Sequence, residues 1–137
     1  MMMVLARQEE GTSISLGEVS KLTLISRRYL DQLATALKNA SLVRGISGKA
    51  GGYQLTKPAN EIQLREIIDA TIGPVSVVDC AVQPEVCVRS DGCECRLVYE
   101  LLTNRINQVF EFISLSDLID GPELRKKVDL LDCQPTG

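Results

Sequence analysis

The sequence predicts a mainly α-helical chain with one small β-hairpin and a long helix towards its end. Three observations predict it. Apolar residues recur at three-to-four spacing through several segments. The run "GISGKAGG" separates two short apolar stretches better suited to strands than to helices. With 4% aromatic residues and no Trp, the core must be built from Leu, Ile, Val and Ala, which suits helix-on-helix packing.

In order, residues 1–9 read as a helix ended by Gly11. "SLGEVSKLT" opens with Ser15 as N-cap and Glu18 at the capping-box position, and Leu16, Val19 and Leu22 form one apolar face. After "LTLI" comes "SRRYLDQLATALKNASLV". Ser26 is the N-cap there, and Leu30, Leu33, Ala34 and Leu37 fall at helical spacing. Leu42-Val43-Arg44 and Tyr53-Gln54-Leu55 are short strands around a glycine-rich tip. Two short helices with a tight connection, then a hairpin, are the winged helix–turn–helix pattern. "EIQLREIIDATIG" is a further amphipathic helix with Ile62, Leu64, Ile67, Ile68 and Ile72 as its apolar positions, stopped by Gly73-Pro74. A long helix is expected from about Glu94 to Ser114. Its stripe of Val98, Leu101, Leu102, Ile106, Val109, Phe110 and Ile113 suits a partner helix, hence a homodimer. "LSDLIDGPELRKKVDLL" reads as a short helix, a Gly-Pro break and a polar tail, with Cys133 an ordinary thiol. The expected organisation is 1–75 as a winged helix–turn–helix domain, 76–95 as a cysteine-rich loop, and 96–137 as dimerisation helix and tail.

Composition narrows the function. No apolar run approaches the 18 or so residues of a membrane span, and no leader is visible, so the expected setting is the reducing cytoplasm. The chain has no His, which excludes imidazole bases and Cys/His zinc fingers. Neither a P-loop nor a GxSxG elbow occurs, so no enzyme is expected. Charge divides unevenly. Residues 1–60 hold eight basic and four acidic residues, or +4, so −7 falls on the rest to give the net −3. A basic first half and an acidic second half permit double-stranded DNA as partner.

Arg27, Arg28, Tyr29 and Gln32 sit on the first turns of the second helix of the pair, where major-groove contacts originate. Arg44, Lys49 and Lys57 bracket the hairpin, where phosphates or a minor groove would be met. Gly51 and Gly52 would let its backbone approach the duplex.

Four of the five cysteines fall within "DCAVQPEVCVRSDGCECR". The spacing Cys80-x6-Cys87-x5-Cys93-x-Cys95 lacks the paired CxxC of structural zinc sites. Three thiols on an open loop before a helix suit an iron–sulfur cluster better. Reversible thiol chemistry, zinc and inert thiols remain the other readings.

Together these segments resemble the IscR/NsrR/CymR-type regulators of the Rrf2 family. "ISRRYLDQLATALKNASLVRG" resembles the family's "ISxxYLxQLxxxLxxAGLVxSxRG". "GKAGGYQL" resembles its "GxGGGYxL" wing, "IQLREIIDATIG" its next helix, and "ISLSDLI" the motif after its dimer helix. The resemblance implies a dimeric winged-helix transcription factor. In its cluster-binding members it also implies an iron–sulfur cluster, 2Fe–2S favoured over 4Fe–4S, sensing iron–sulfur status, redox state or nitric oxide. Cys80, Cys87 and Cys93 fall at the family's three cysteine places, with Cys80 one residue farther out than the common spacing. Arg96 stands where some members have a ligating histidine. The fourth ligand would then be Cys95, a carboxylate such as Asp91 or Glu94, or a group from another subunit. By the same resemblance, the sequence is expected to begin inside the family's first helix, about a dozen residues in. Ser47 stands where the family often has a wing arginine; either Lys49 would substitute for it or the target sequence would differ. The alternative within the family is a cluster-free regulator controlled by thiol oxidation or by a metabolic-enzyme partner.

Overall fold

A computed structural model describes residues 1–49, 51–89 and 92–132. Asp91 and Cys133 lie outside the described residues. The elements are α1 (Met2–Ala6), α2 (Leu16–Thr23), α3 (Arg27–Asn39), β1 (Val43–Ile46), β2 (Gly52–Leu55), α4 (Leu64–Thr71), α5 (Glu94–Phe112), α6 (Leu115–Ile119) and α7 (Gly121–Asp132). Helices predominate, with one antiparallel hairpin pairing Val43 with Leu55 through Ile46 with Gly52.

The cap residues begin the helices as their chemistry requires. The Ser15 hydroxyl accepts the Glu18 amide, and the Glu18 carboxylate accepts the Ser15 amide at 3.1 Å, satisfying two donors that α2 would otherwise leave open. Ser26 does half of this for α3, accepting the Tyr29 amide at 3.4 Å. Behind these caps, Leu16 and Val19 of α2 meet Leu30, Ala34 and Leu37 of α3 in one core that also takes in Met2, Leu5, Ile14, Leu42, Val43, Ile62 and Leu115.

Three expectations are corrected. Leu22 and Ile72 stand exposed rather than on an apolar face, because α2 and α4 are only two turns long and end just short of the core at those positions. Ile62 is fully buried but lies ahead of α4, not on it. The expected polar tail is helix α7. Gly121-Pro122 opens it instead of breaking it, since proline is tolerated in a first helical turn, where no N–H partner is needed.

The chain crosses itself at one point behind the core. Gln63 and Ser114 form an isolated antiparallel bridge, in which the Leu64 amide donates to the Ile113 carbonyl at 2.8 Å and the Leu115 amide to the Ile62 carbonyl at 2.7 Å. The end of α5 is therefore tied to the start of α4. Arg65 reinforces the tie with an ion pair to Glu111 at 2.5 Å. No helix among the described residues is long and apolar enough to cross a membrane.

Candidate nucleic-acid interface and cysteine loop

The turn between α2 and α3 is held by side chains. The Ser20 hydroxyl donates to the Ile25 carbonyl at 2.7 Å, and the Thr23 hydroxyl to the Val19 carbonyl at 2.7 Å. Between them Leu24 adopts a left-handed conformation, φ 58°, as the C-cap of α2. This turn aims the start of α3 outward. Arg27, Arg28, Tyr29 and Gln32 are all exposed there, while Leu30, Ala34 and Leu37 bury the opposite face. Among the described residues no ion pair occupies Arg27 or Arg28. Arg27 reaches back across the start of α2, near Gly17 and Ser15. The result is an exposed, cationic helix start with hydrogen-bonding groups on successive turns.

The hairpin follows α3, with β1 packed on that helix and Lys49 exposed at the tip. Gly51 and Gly52 make their close approaches to this chain's own backbone. A Cβ at Gly51 would overlap the Ile46 carbonyl, and one at Gly52 the Ile14 carbonyl. Gly52 thereby lets Tyr53 form a two-bond bridge with Ile14, at 2.9 and 3.0 Å, which fastens the hairpin to the segment before α2. Lys57 pairs with Glu66 at 2.7 Å. Burial alone would raise the Glu66 carboxyl, but the Lys57 ammonium and the Gln63 amide outweigh it and hold it below the ordinary carboxylate range. Arg44 lies against Gln54, its cross-strand partner. Gln54 escaped the sequence reading, although its position opposite Arg44 in a short hairpin was a signal.

The cysteine loop is a chain of short turns. Cys80 lies in a 3₁₀ turn, Asp79–Ala81, that packs on α5. Cys87 follows a second, Pro84–Val86, and Cys93 is the N-cap of α5. Thr103, buried in α5, accepts the Val77 amide at 3.3 Å and anchors the start of the loop. Cys80, Cys87 and Cys93 are half-buried, Cys95 is exposed, and all four are free thiols. Arg96 pairs with Glu100 at 2.7 Å along the helix.

In donor type and access the three half-buried thiols fit an iron–sulfur cluster. Their arrangement is open: among the described residues no three Cys, Asp or Glu side chains converge on a metal position. Loading would require the loop to draw in. The long helix beyond presents an uncovered apolar face, with Leu97 68%, Val98 56% and Leu101 58% exposed.

Residues 1–121 match the Rrf2 family model, described as an iron-dependent transcriptional regulator. The HTH-type transcriptional regulator IscR of Pectobacterium atrosepticum is 32% identical over 132 residues, covering 96% of this chain and 79% of the relative. The solved structure of CymR, the global cysteine regulator of B. subtilis, is 28% identical with a TM-score of 0.74, covering 87% of both chains. T. potens IscR is 26% identical with a TM-score of 0.66, covering 88% of this chain and 79% of that one.

Proposed function

The chain belongs to the Rrf2 family of transcriptional regulators, and from that premise we propose that it is a homodimeric DNA-binding regulator whose promoter occupancy is controlled by an iron–sulfur cluster. The observation that carries the reading is continuity. A loop with three free thiols runs directly into α5, whose apolar face is uncovered and whose far end is tied to the DNA-facing body.

Arg27, Arg28, Tyr29 and Gln32 would enter the major groove of double-stranded DNA, where their donors and acceptors read base edges and phosphates. Lys49, with Gly51 and Gly52 shaping the wing, would meet the backbone alongside, and Arg44 belongs to the same wing. Leu97, Val98 and Leu101 would be covered by α5 of a second copy, setting two α3 helices about one DNA turn apart, roughly 34 Å. Cys80, Cys87 and Cys93 would hold the cluster, 2Fe–2S favoured and 4Fe–4S the alternative, with Cys95 a candidate fourth ligand. Such a group supplies a link between thiolates that is sensitive to oxygen, nitric oxide and iron supply. Because Cys80 sits on a turn packed on α5 and Cys93 caps that helix, drawing them together fixes the loop against α5.

Anaerobic purification with iron and sulfide assay, followed by operator binding with and without reconstitution, tests the proposal. Serine at Cys80, Cys87 and Cys93 should abolish iron retention and remove the dependence on reconstitution. A protein that stays colourless and iron-free after reconstitution would remove the cluster from the reading.

The open thiol arrangement and the likeness to CymR support a second reading: a cluster-free regulator governed by thiol oxidation or by a metabolic-enzyme partner. A reversible Cys93–Cys95 or Cys80–Cys87 linkage detected by mass spectrometry would favour it.

A further inference from the structure

Arg44 and Gln54 are register partners on β1 and β2, on the hairpin face opposite Val43 and Leu55. A polar pair there would ordinarily be solvated, yet Gln54 is only 8% exposed. With its amide oriented as its neighbours require, Gln54 joins three segments. Its Nε2 donates to the Gly11 carbonyl at 3.0 Å. Its Oε1 accepts from Arg44 Nη2 at 2.6 Å and also from Arg44 Nε. Gly11 lies in the turn between α1 and α2, at φ 83°, where a side chain would be strained.

A cleft of about 340 Å³ opens at this spot, with Gly11, Thr12, Arg44 and Gln54 in its wall. Apolar packing therefore does not fill the gap between the hairpin base and that turn. The polar link spans it. One residue earlier on β2, Tyr53 makes the bridge to Ile14. The hairpin is thus fastened on one edge by backbone bonds and braced on one face by Gln54. The turn it is braced to continues from α1, which packs on α6, just beyond the end of α5.

We infer that Gln54 is a positioning residue for DNA recognition: by clamping the Arg44 guanidinium and the Gly11 carbonyl it sets the angle of the wing, and Arg44 acts on DNA through that brace and not by touching a phosphate. The inference rests on the DNA-binding reading above for its consequence, but the brace itself is independent of DNA. A phosphate contact and a brace leave different signatures. Each phosphate neutralised contributes about 0.9 to the slope of log affinity against log salt, and a brace contributes nothing to it. Two halves of one brace are also non-additive when removed together.

The experiment compares Gln54→Leu, Arg44→Met and the double variant in the full-length chain, with Gln54→Glu as a fourth. Glutamate keeps the acceptor for Arg44 but loses the donor to Gly11, so it separates the two arms while retaining a near-isosteric side chain. Hydrogen exchange at the Tyr53 amide reads the brace without DNA, and circular dichroism checks folding. The expected result is faster Tyr53 exchange in both single variants. Operator affinity should fall by about tenfold in each, as for loss of a hydrogen bond to a charged group, with the salt slope unchanged and no further loss in the double variant. A slope reduced by about 0.9 in Arg44→Met, with Tyr53 exchange unchanged, would make Arg44 a phosphate contact and overturn the inference. Unchanged exchange in both single variants would overturn it as well. Faster exchange in a chain that binds no DNA at all would instead sink the DNA-binding reading and leave the brace standing.

Discussion

Replacing Leu24 by glycine should stabilise this protein. Leu24 closes α2 at φ 58° and ψ 17°, and its amide donates to the Ser20 carbonyl at 2.9 Å. For a residue with a Cβ, this left-handed conformation costs roughly 1–2 kcal/mol. It persists because the hydroxyls of Ser20 and Thr23 pin the backbone on both sides. The side chain returns nothing for that strain, being 92% exposed. Glycine removes the strain but adds about 0.5–1 kcal/mol of chain entropy to be lost on folding. The difference is a net gain of about 0.5–1 kcal/mol, or roughly 2–4 °C in Tm for a chain of this size. Urea denaturation followed by circular dichroism should show a higher midpoint with an unchanged slope. Asparagine, which tolerates this conformation better than leucine, should fall between the two. A midpoint that drops in Leu24→Gly would refute the reasoning, since it would mean that the leucine side chain is covered in solution.

Four further outcomes are expected. Gly52→Ala should cost about 2–3 kcal/mol, because its Cβ would push into the Ile14 carbonyl and break the two-bond bridge to Tyr53. Gly45→Ala on the facing strand meets nothing and should change stability by less than about 0.5 kcal/mol in the same melts. Asp117 packs under α7, accepting from Lys127 Nζ at 2.6 Å and from the Ser114 amide and hydroxyl at 2.7 Å each. Burial would raise its carboxyl, but these donors outweigh it and the folded-state pKa lies below the usual aspartate value. A depressed folded pKa gives stability that is present above the unfolded pKa, near 3.9, and is lost as pH falls through the folded one. Asp117→Asn should therefore be less stable than wild type by about 2 kcal/mol at pH 7, and the gap should close below about pH 4. Urea melts at pH 7 and pH 3 decide this. An undiminished gap at pH 3 would contradict the ionic account. On the proposed homodimer, Leu101→Asp, placed on the uncovered face of α5, should raise the dissociation constant by at least about a hundredfold in sedimentation experiments, since a symmetric contact there would lose two leucines. Identical sedimentation of variant and wild type would count against α5 as a dimer contact.

The readable parts of this sequence were those governed by local chemistry. Ser15 with Glu18, and Ser26 ahead of Arg27, announce helix starts because a cap needs only residues three apart. Leu30, Ala34 and Leu37 announce the buried face of α3 for the same reason. What was not readable depends on partners distant in sequence. Leu22 and Ile72 fit their helical patterns yet point past the core. Lys57 brackets the hairpin in sequence, but its ion pair with Glu66, nine residues on, depends on how the chain folds between them. Gly51 and Gly52 also lie close to the carbonyls of Ile46 and Ile14, contacts within the chain that their spacing does not announce. In the cysteine loop, spacing identifies the thiols but carries no information on how turns at Asp79–Ala81 and Pro84–Val86 hold them apart.

The crossing of Gln63 with Ser114 makes everything between them a closed excursion: the chain departs from and returns to one hydrogen-bonded point. What happens along that excursion leaves the distance between its two ends unchanged. Residues could be added to or taken from the cysteine segment at a closure cost that grows only with the logarithm of length, and the reading surface on α3 would keep its shape. Under the proposed function, such a layout would let a lineage exchange one signal for another by rewriting the excursion while keeping the same grip on DNA.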